Sequence, residues 1–143
     1  MTDHARHLVH VTRLPIRWGD MDALGHVNNT IYFLYMEQAR MEWVTSLDKA
    51  GEPPRDWTTV IVNASCTFLR PLVFPGDVEV RMLLAQPGRT SVHSYYEIVQ
   101  GGEIYAEGAA KLVFVDIVKA RPVPLPAPVT ALLHEHRAAA AQR

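Results

Sequence analysis

Between Arg17 and Arg40 the chain reads RWGDMDALGHVNNTIYFLYMEQAR, and the change of period inside this stretch decides the architecture. The first half, GDMDALGHVNN, is too dense in Gly, Asp and Asn to continue a strand and reads as a structured loop. The second half is helical. Tyr32, Met36, Ala39, Trp43 and Leu47 recur every three or four residues, with Glu37, Gln38, Arg40 and Glu42 in the intervening positions. Asn28 is placed to cap this helix, and Gly51 with Pro53 and Pro54 closes it.

Upstream, Leu8, Val9, Val11, Leu14 and Ile16 mark a strand, and Pro15 within it suits a sheet edge or a bulge. Downstream the pattern is strand after strand. Val60, Val62, Ala64, Cys66 and Phe68 alternate along a segment that ends at Arg70-Pro71, and Val78, Val80, Met82 and Leu84 share a face of the next. The turns Pro87-Gly88 and Gly101-Gly102 are short enough to imply antiparallel neighbours. In the last strand Gly108, Ala109 and Ala110 permit close approach of the helix or of a partner strand, and Leu112 and Phe114 restore the packing. ARPVPLPAPV is extended, and HEHRAAAAQR suits a frayed surface helix. The expected order is one strand, one long helix, then four strands in a meander. This is an α+β domain, an antiparallel five-stranded sheet wrapped around one helix. A single domain spans 1–143, with its core at about 8–117 and a proline-rich tail over 118–143.

Composition narrows the function. With 14 basic against 15 acidic residues there is no field to hold nucleic acid, so any anionic ligand is held by a few local charges. The lone Cys66 makes no internal disulfide and reads as a small buried side chain. MTDHARHLVH lacks a signal-peptide core, and no run has the length of a membrane span, which points to a cytoplasmic home. His4, His7 and His10, like His134 and His136, complete no four-ligand set, so neither metal nor cofactor is called for. Ser65, Ser91 and Ser94 lack the Gly-x-Ser-x-Gly elbow of a hydrolase serine.

The chemistry concentrates at the loop-to-helix junction. A helix start leaves amides without partners and carries partial positive charge, so the N–H groups of Asn29, Thr30 and Ile31 are placed to stabilise an oxyanion. The same field keeps a neighbouring carboxylate ionised, and Asp22 can then act as a nucleophile or as a base on water. Asp20 is assigned to bracing the loop. One carboxylate without a strong acid suits thioesters better than amides, because a thiol of pKa roughly 8.5 leaves as thiolate without obligatory protonation.

WGDMDALGHVNNTIYFLYMEQAR resembles the signature of the 4-hydroxybenzoyl-CoA thioesterase branch of the hotdog superfamily. It is most similar to the bacterial long-chain acyl-CoA thioesterase group, with its D-x-D-x-x-G-H-V-N-N-x-x-Y pattern. FLRPLVFPGD and PGRTSVHSYYEI extend the likeness. The resemblance implies a hotdog fold, hydrolysis of acyl-CoA, and homodimers or homotetramers with active sites at subunit interfaces. It places the catalytic carboxylate on Asp22 and the carbonyl-polarising amide on Asn29, with Gly25 as the motif glycine and His26 near the thioester. Arg89, and secondarily Arg70, fall where relatives meet the coenzyme A phosphates. Tyr32 and Met36 are expected to line the acyl tunnel. Ala23-Leu24-Gly25-His26 departs from the Pro-Ala-Gly run of the 4-hydroxybenzoyl enzymes, which argues against an aromatic hydroxyacyl substrate. Two rival readings are a non-catalytic acyl-CoA binding module and a hotdog dehydratase acting on acyl carrier protein thioesters.

Overall fold

A computed structural model of the chain describes the backbone of residues 5–141 and the side chains of residues 5–134. Five strands, β1 (His7–Pro15), β2 (Trp57–Phe68), β3 (Asp77–Ala85), β4 (Ser91–Gln100) and β5 (Glu103–Asp116), form one antiparallel sheet. The long helix α1 (Asn29–Ser46) packs across it, and α2 (Ala127–Ala141) follows the last strand. This is the helix-wrapped sheet that the element order implies.

The α1 start forms as its sequence dictates: the Asn28 side chain accepts the Thr30 amide at 2.9 Å. Tyr32, Tyr35, Met36, Ala39, Trp43 and Val44 are buried on its inner face. Opposite them lie Val78, Val80, Met82 and Leu84 of β3, Val92, Tyr96 and Ile98 of β4, and Ala106, Leu112 and Phe114 of β5, all fully enclosed. The Met36 side chain meets β5 at Gly108. A Cβ built there would stand 2.0 Å from Met36 Sδ, so the missing side chain is the space into which Met36 settles.

The strand order corrects one expectation. The sheet runs β1-β3-β4-β5-β2, so only β3, β4 and β5 form a meander, and β2 crosses to the far edge to pair with β5. A second correction concerns the face of β2. Register slips between Ile61 (opposite Leu112) and Asn63 (opposite Lys111), leaving Val62 as the extra residue of a bulge. With a side-chain period of two, one added residue inverts the alternation. Thr59 and Ile61 therefore share the helix side with Ala64, Cys66 and Phe68, whereas Val60 faces away. As an edge, β2 leaves Val60, Ile61, Val62 and Phe68 substantially exposed.

The C-terminal segment is also more than a tail. α2 starts at Ala127, upstream of the expected HEHR stretch, and its Val129 and Leu133 join the core. The Leu125 amide donates to the Arg89 carbonyl at 3.0 Å, tying this segment to the β3–β4 turn. Among the described residues no helix is long and apolar enough to cross a membrane.

Replacing Gly108 with valine should lower the unfolding free energy by about 1–3 kcal/mol, the usual cost of overpacking. In a denaturant double-mutant cycle with Met36→Ala the two losses should be less than additive; full additivity would show that the Met36 contact does not set the helix height.

Candidate active site

The loop ahead of α1 closes on itself. Met21 and Val27 form an antiparallel bridge, the Asp22 amide donates to the His26 carbonyl at 3.0 Å, and the Gly25 amide donates to the Asp22 carbonyl at 3.1 Å. Gly25 sits at φ +84 with open space where a Cβ would be, so its backbone conformation rather than crowding calls for glycine.

Two carboxylates leave this loop for different surroundings. Asp20 is buried, with Oδ2 accepting the Arg17 amide at 2.9 Å and the Tyr35 hydroxyl at 2.8 Å. The Arg17 guanidinium completes the set on Oδ1, at 3.2 Å from Nε and 3.1 Å from Nη2. Burial alone would raise its pKa, but the Arg17 amide, the Tyr35 hydroxyl and the Arg17 guanidinium outweigh it and hold the carboxyl below its ordinary value. The Tyr35 phenol is pushed up by its own burial and by the bond it donates to that anion. The Asp20 carbonyl also accepts the Asn28 amide at 2.9 Å, which anchors the helix start. Asp22 is half-buried instead. Its Oδ1 accepts the Leu24 amide at 2.9 Å, and its Oδ2 lies 3.4 Å from the Asn28 side-chain amide nitrogen. Asn28 thus joins the carboxylate on one side to the helix cap on the other.

The amides of the first turn are not equivalent, which corrects the expectation that three of them are open. Thr30 donates to the Asn28 side chain, and Ile31 donates to the Asn28 carbonyl at 2.9 Å. Asn29 alone of the three donates to no acceptor among the described residues.

Asn29 opens onto a cleft of about 370 Å³ walled by His26, Val27, Tyr32, Phe68, Leu69, Arg70 and Pro71. Leu72 clamps its two sides together. Its carbonyl accepts the Val27 amide at 2.8 Å, and its amide donates to the Tyr32 hydroxyl at 3.2 Å. The Tyr32 ring meets Phe68 edge-on at 4.9 Å, and burial raises its phenol pKa. The structure therefore gathers His26, Asn29, Tyr32 and Arg70 around one cavity, while Asp22 is not among its lining residues and lies beside Asn28. Met36 lies deeper, against Gly108. Phe68 and Leu72 went unread as site residues. Their signal was present in FLRPL, where a buried leucine follows a strand end.

Other candidates lie elsewhere or are committed. Arg70 is ion-paired with Glu103 at the surface. Arg89 is exposed in the β3–β4 turn and lines a separate cavity of about 300 Å³ with Pro124, Leu125 and His134. Ser91, next to that turn, pairs with Val113, whereas Phe68 at the cleft pairs with Ala106. That is roughly 24 Å of strand, so one chain does not bring Arg89 to its own cleft. The Cys66 thiol, half-buried, is pushed up to about 11 by burial and stays protonated near neutrality. Ser94 is buried and donates to the Ala110 carbonyl at 2.7 Å. His4 and the His136 side chain lie outside the described residues.

Comparison with known proteins sets this geometry in context. The family described as the thioesterase-like superfamily matches residues 16–133. The PA2801 protein of Pseudomonas aeruginosa, itself named only as a candidate thioesterase, superposes with a TM-score of 0.81 at 35% identity, covering 89% of this chain and 99% of that one. The structure of BH1999, named a gentisyl-coenzyme A thioesterase, gives a TM-score of 0.73 at 27% identity, covering 84% and 98%. These likenesses identify the sheet and helix as the hotdog arrangement. Among curated proteins, YsmA of Bacillus subtilis aligns over 84 residues at 24% identity, 59% of this chain and 56% of YsmA, little more than half of that relative's length.

Asp20 gives a pH test of the loop. A carboxyl whose folded-state pKa lies below its ordinary 3.8 contributes its full stability above that value and loses it as pH falls through the folded-state value. Asp20→Asn should cost about 2 kcal/mol at neutral pH, and the gap to wild type should close below pH 3.8. Denaturant midpoints from pH 7 down to pH 2.5 measure it; a gap that stays constant would mean the charge is not what matters.

Proposed function

Because this chain belongs to the thioesterase-like superfamily, we propose that it hydrolyses an acyl-CoA thioester to the free acid and coenzyme A, using Asp22 and the Asn29 amide. One observation carries this reading: Asn29, whose N–H is uncommitted, lines the cleft one residue from the Asn28 side chain that holds Asp22. The thioester carbonyl oxygen accepts from that amide, which stabilises the oxyanion as the carbon becomes tetrahedral. Asp22 either adds to the carbonyl carbon or takes a proton from the water that does. The carbon–sulfur bond then breaks, sulfur leaves as thiolate, and water supplies the acid's second oxygen. His26 borders the thioester, and the acyl group runs from Tyr32 towards Met36.

The working unit is a homodimer joined through β2. That strand is an edge, and Val60, Ile61 and Val62 are exposed along it. Antiparallel pairing of two β2 strands about a two-fold axis sets the Trp57 end of one copy beside the Phe68 end of the other. Arg89 lies at the Trp57 end, so the second copy supplies to the cleft the basic residue that the first cannot. There it meets the coenzyme A phosphates, with Arg70 beside it.

Three measurements test this reading. Thiol release followed over acyl-CoAs from acetyl to palmitoyl, with aromatic ones included, should find a hydrolysed substrate, and Asp22→Asn should lower kcat about 10²–10⁴-fold. Binding without thiol release at any length would instead mark a non-catalytic acyl-CoA module. The amide is tested by Asn29→Pro, because proline is favoured at the first helical position and lacks only the N–H. Asn28, at φ −58 and ψ 138, already has the backbone that a following proline needs. Asn29→Pro should fall about 10²–10³-fold below Asn29→Ala in kcat, and equal rates would remove the oxyanion role. Val62→Lys, a charge at the middle of the edge, should shift sedimentation from dimer to monomer and abolish turnover with it.

A further inference from the structure

A further cavity, of about 180 Å³, lies under α1 one to two turns beyond the cleft, between Met36, Glu37 and Arg40 on the helix and Ala64 and Ala110 on the sheet. It exists because β2 and β5 put only methyl groups there: Ala64 and Ala110 pair directly across the two strands. Its walls are apolar except for Glu37, which is exposed, and for Arg40 with Tyr96. Arg40, half-buried, donates from Nη1 to the Tyr96 hydroxyl at 3.2 Å, with its guanidinium 5.9 Å from the centre of that ring. Tyr96 in turn donates to Ser94 Oγ at 2.8 Å, and Ser94 donates to the Ala110 carbonyl at 2.7 Å. Each hydroxyl proton in this relay is spent inward, so the tyrosine oxygen is an acceptor and Arg40 is oriented by it. No carboxylate among the described residues comes within 4.0 Å of the guanidinium; Glu37, one turn earlier, is exposed. The cation keeps most of its five N–H donors for something else.

We infer that Arg40 is a specificity-determining residue that selects acyl groups ending in a carboxylate, the half-thioesters of dicarboxylic acids. The inference rests on the thioesterase reading above and adds to it the nature of the acyl group. Helical side chains lean towards the N-terminus, so the guanidinium covers the turn before Arg40 and lies roughly 10 Å along the axis from the Asn29 amide. An acyl chain anchored at that amide passes Tyr32 and Met36 and brings its far end to the guanidinium. A plain alkyl end would desolvate the cation without a partner, which is costly, whereas a carboxylate makes a charge-assisted bond with it.

The test compares adipoyl- and suberoyl-CoA with hexanoyl- and octanoyl-CoA in wild type, Arg40→Met and Arg40→Lys. Methionine keeps the apolar stem without the charge, and lysine keeps the charge without the fork. The wild-type ratio of kcat/KM should favour the carboxylated pair at least tenfold; Arg40→Met should erase that ratio, and Arg40→Lys should retain part of it. An unchanged ratio in Arg40→Met overturns the assignment of Arg40 but leaves the thioesterase reading intact. If none of the four is hydrolysed, calorimetric titration of the same compounds decides. Tighter binding of the carboxylated pair by wild type and not by Arg40→Met sustains the role of Arg40, and equal binding ends it.

Discussion

The height at which α1 rides above the sheet is the constraint from which the remaining geometry follows. Met36 fills the space left by Gly108, and on either side of this contact β5 carries only Ala106 and Ala110 beneath the helix. Close packing there fixes the rest of the helix as a rigid body, since interiors this dense transmit small displacements. The N-terminal turn is thereby held against the Leu72 clamp, and the middle turns stand over a floor of alanines that they do not fill. Cleft and inner cavity are two results of one contact.

At the helix start, two aspartates two residues apart divide the work by environment. Asp20 is enclosed and saturated with donors, so its charge is structural and its carbonyl also secures Asn28. Asp22 keeps partial exposure and only a loop amide and a side-chain amide as partners. The cap sorts the backbone donors in the same way: Asn28 absorbs those of Thr30 and Ile31 and leaves that of Asn29. Spending most of the polar groups on rigidity leaves a single directed donor, which suits electrostatic stabilisation better than several loose ones.

Much of this was readable in the residues, and the unread part has a common physical origin. Local signals worked where local energetics decide: the Asn28 cap, the buried stripe from Tyr32 to Trp43, the tight turns around β4, and the small residues that admit the helix at Gly108. Pairing partners are not local. Nothing in Trp57–Phe68 states that it joins β5 and not β3, and the alternation of Val60, Val62 and Ala64 conceals a bulge that only the facing strand reveals. The site shows the same division. His26, Asn29 and Tyr32 lie close in sequence and line one cleft, with Asp22 outside its lining beside Asn28, while the position that family likeness gives Arg89 lies at the far end of the sheet in one chain.

The bulge at Val62 also restricts how this chain can vary in length. Most strands of such a sheet can gain or lose residues at their turns without disturbing what faces the core. In β2 the surplus residue sits mid-strand, and the two halves are in phase with the helix only because it is present. Deleting that one codon would roll the amino-terminal half of the strand over, turning Val60 inward and Thr59 and Ile61 outward. Descendants of this gene are therefore held to a fixed length at a site that looks, in the linear text, like an ordinary valine.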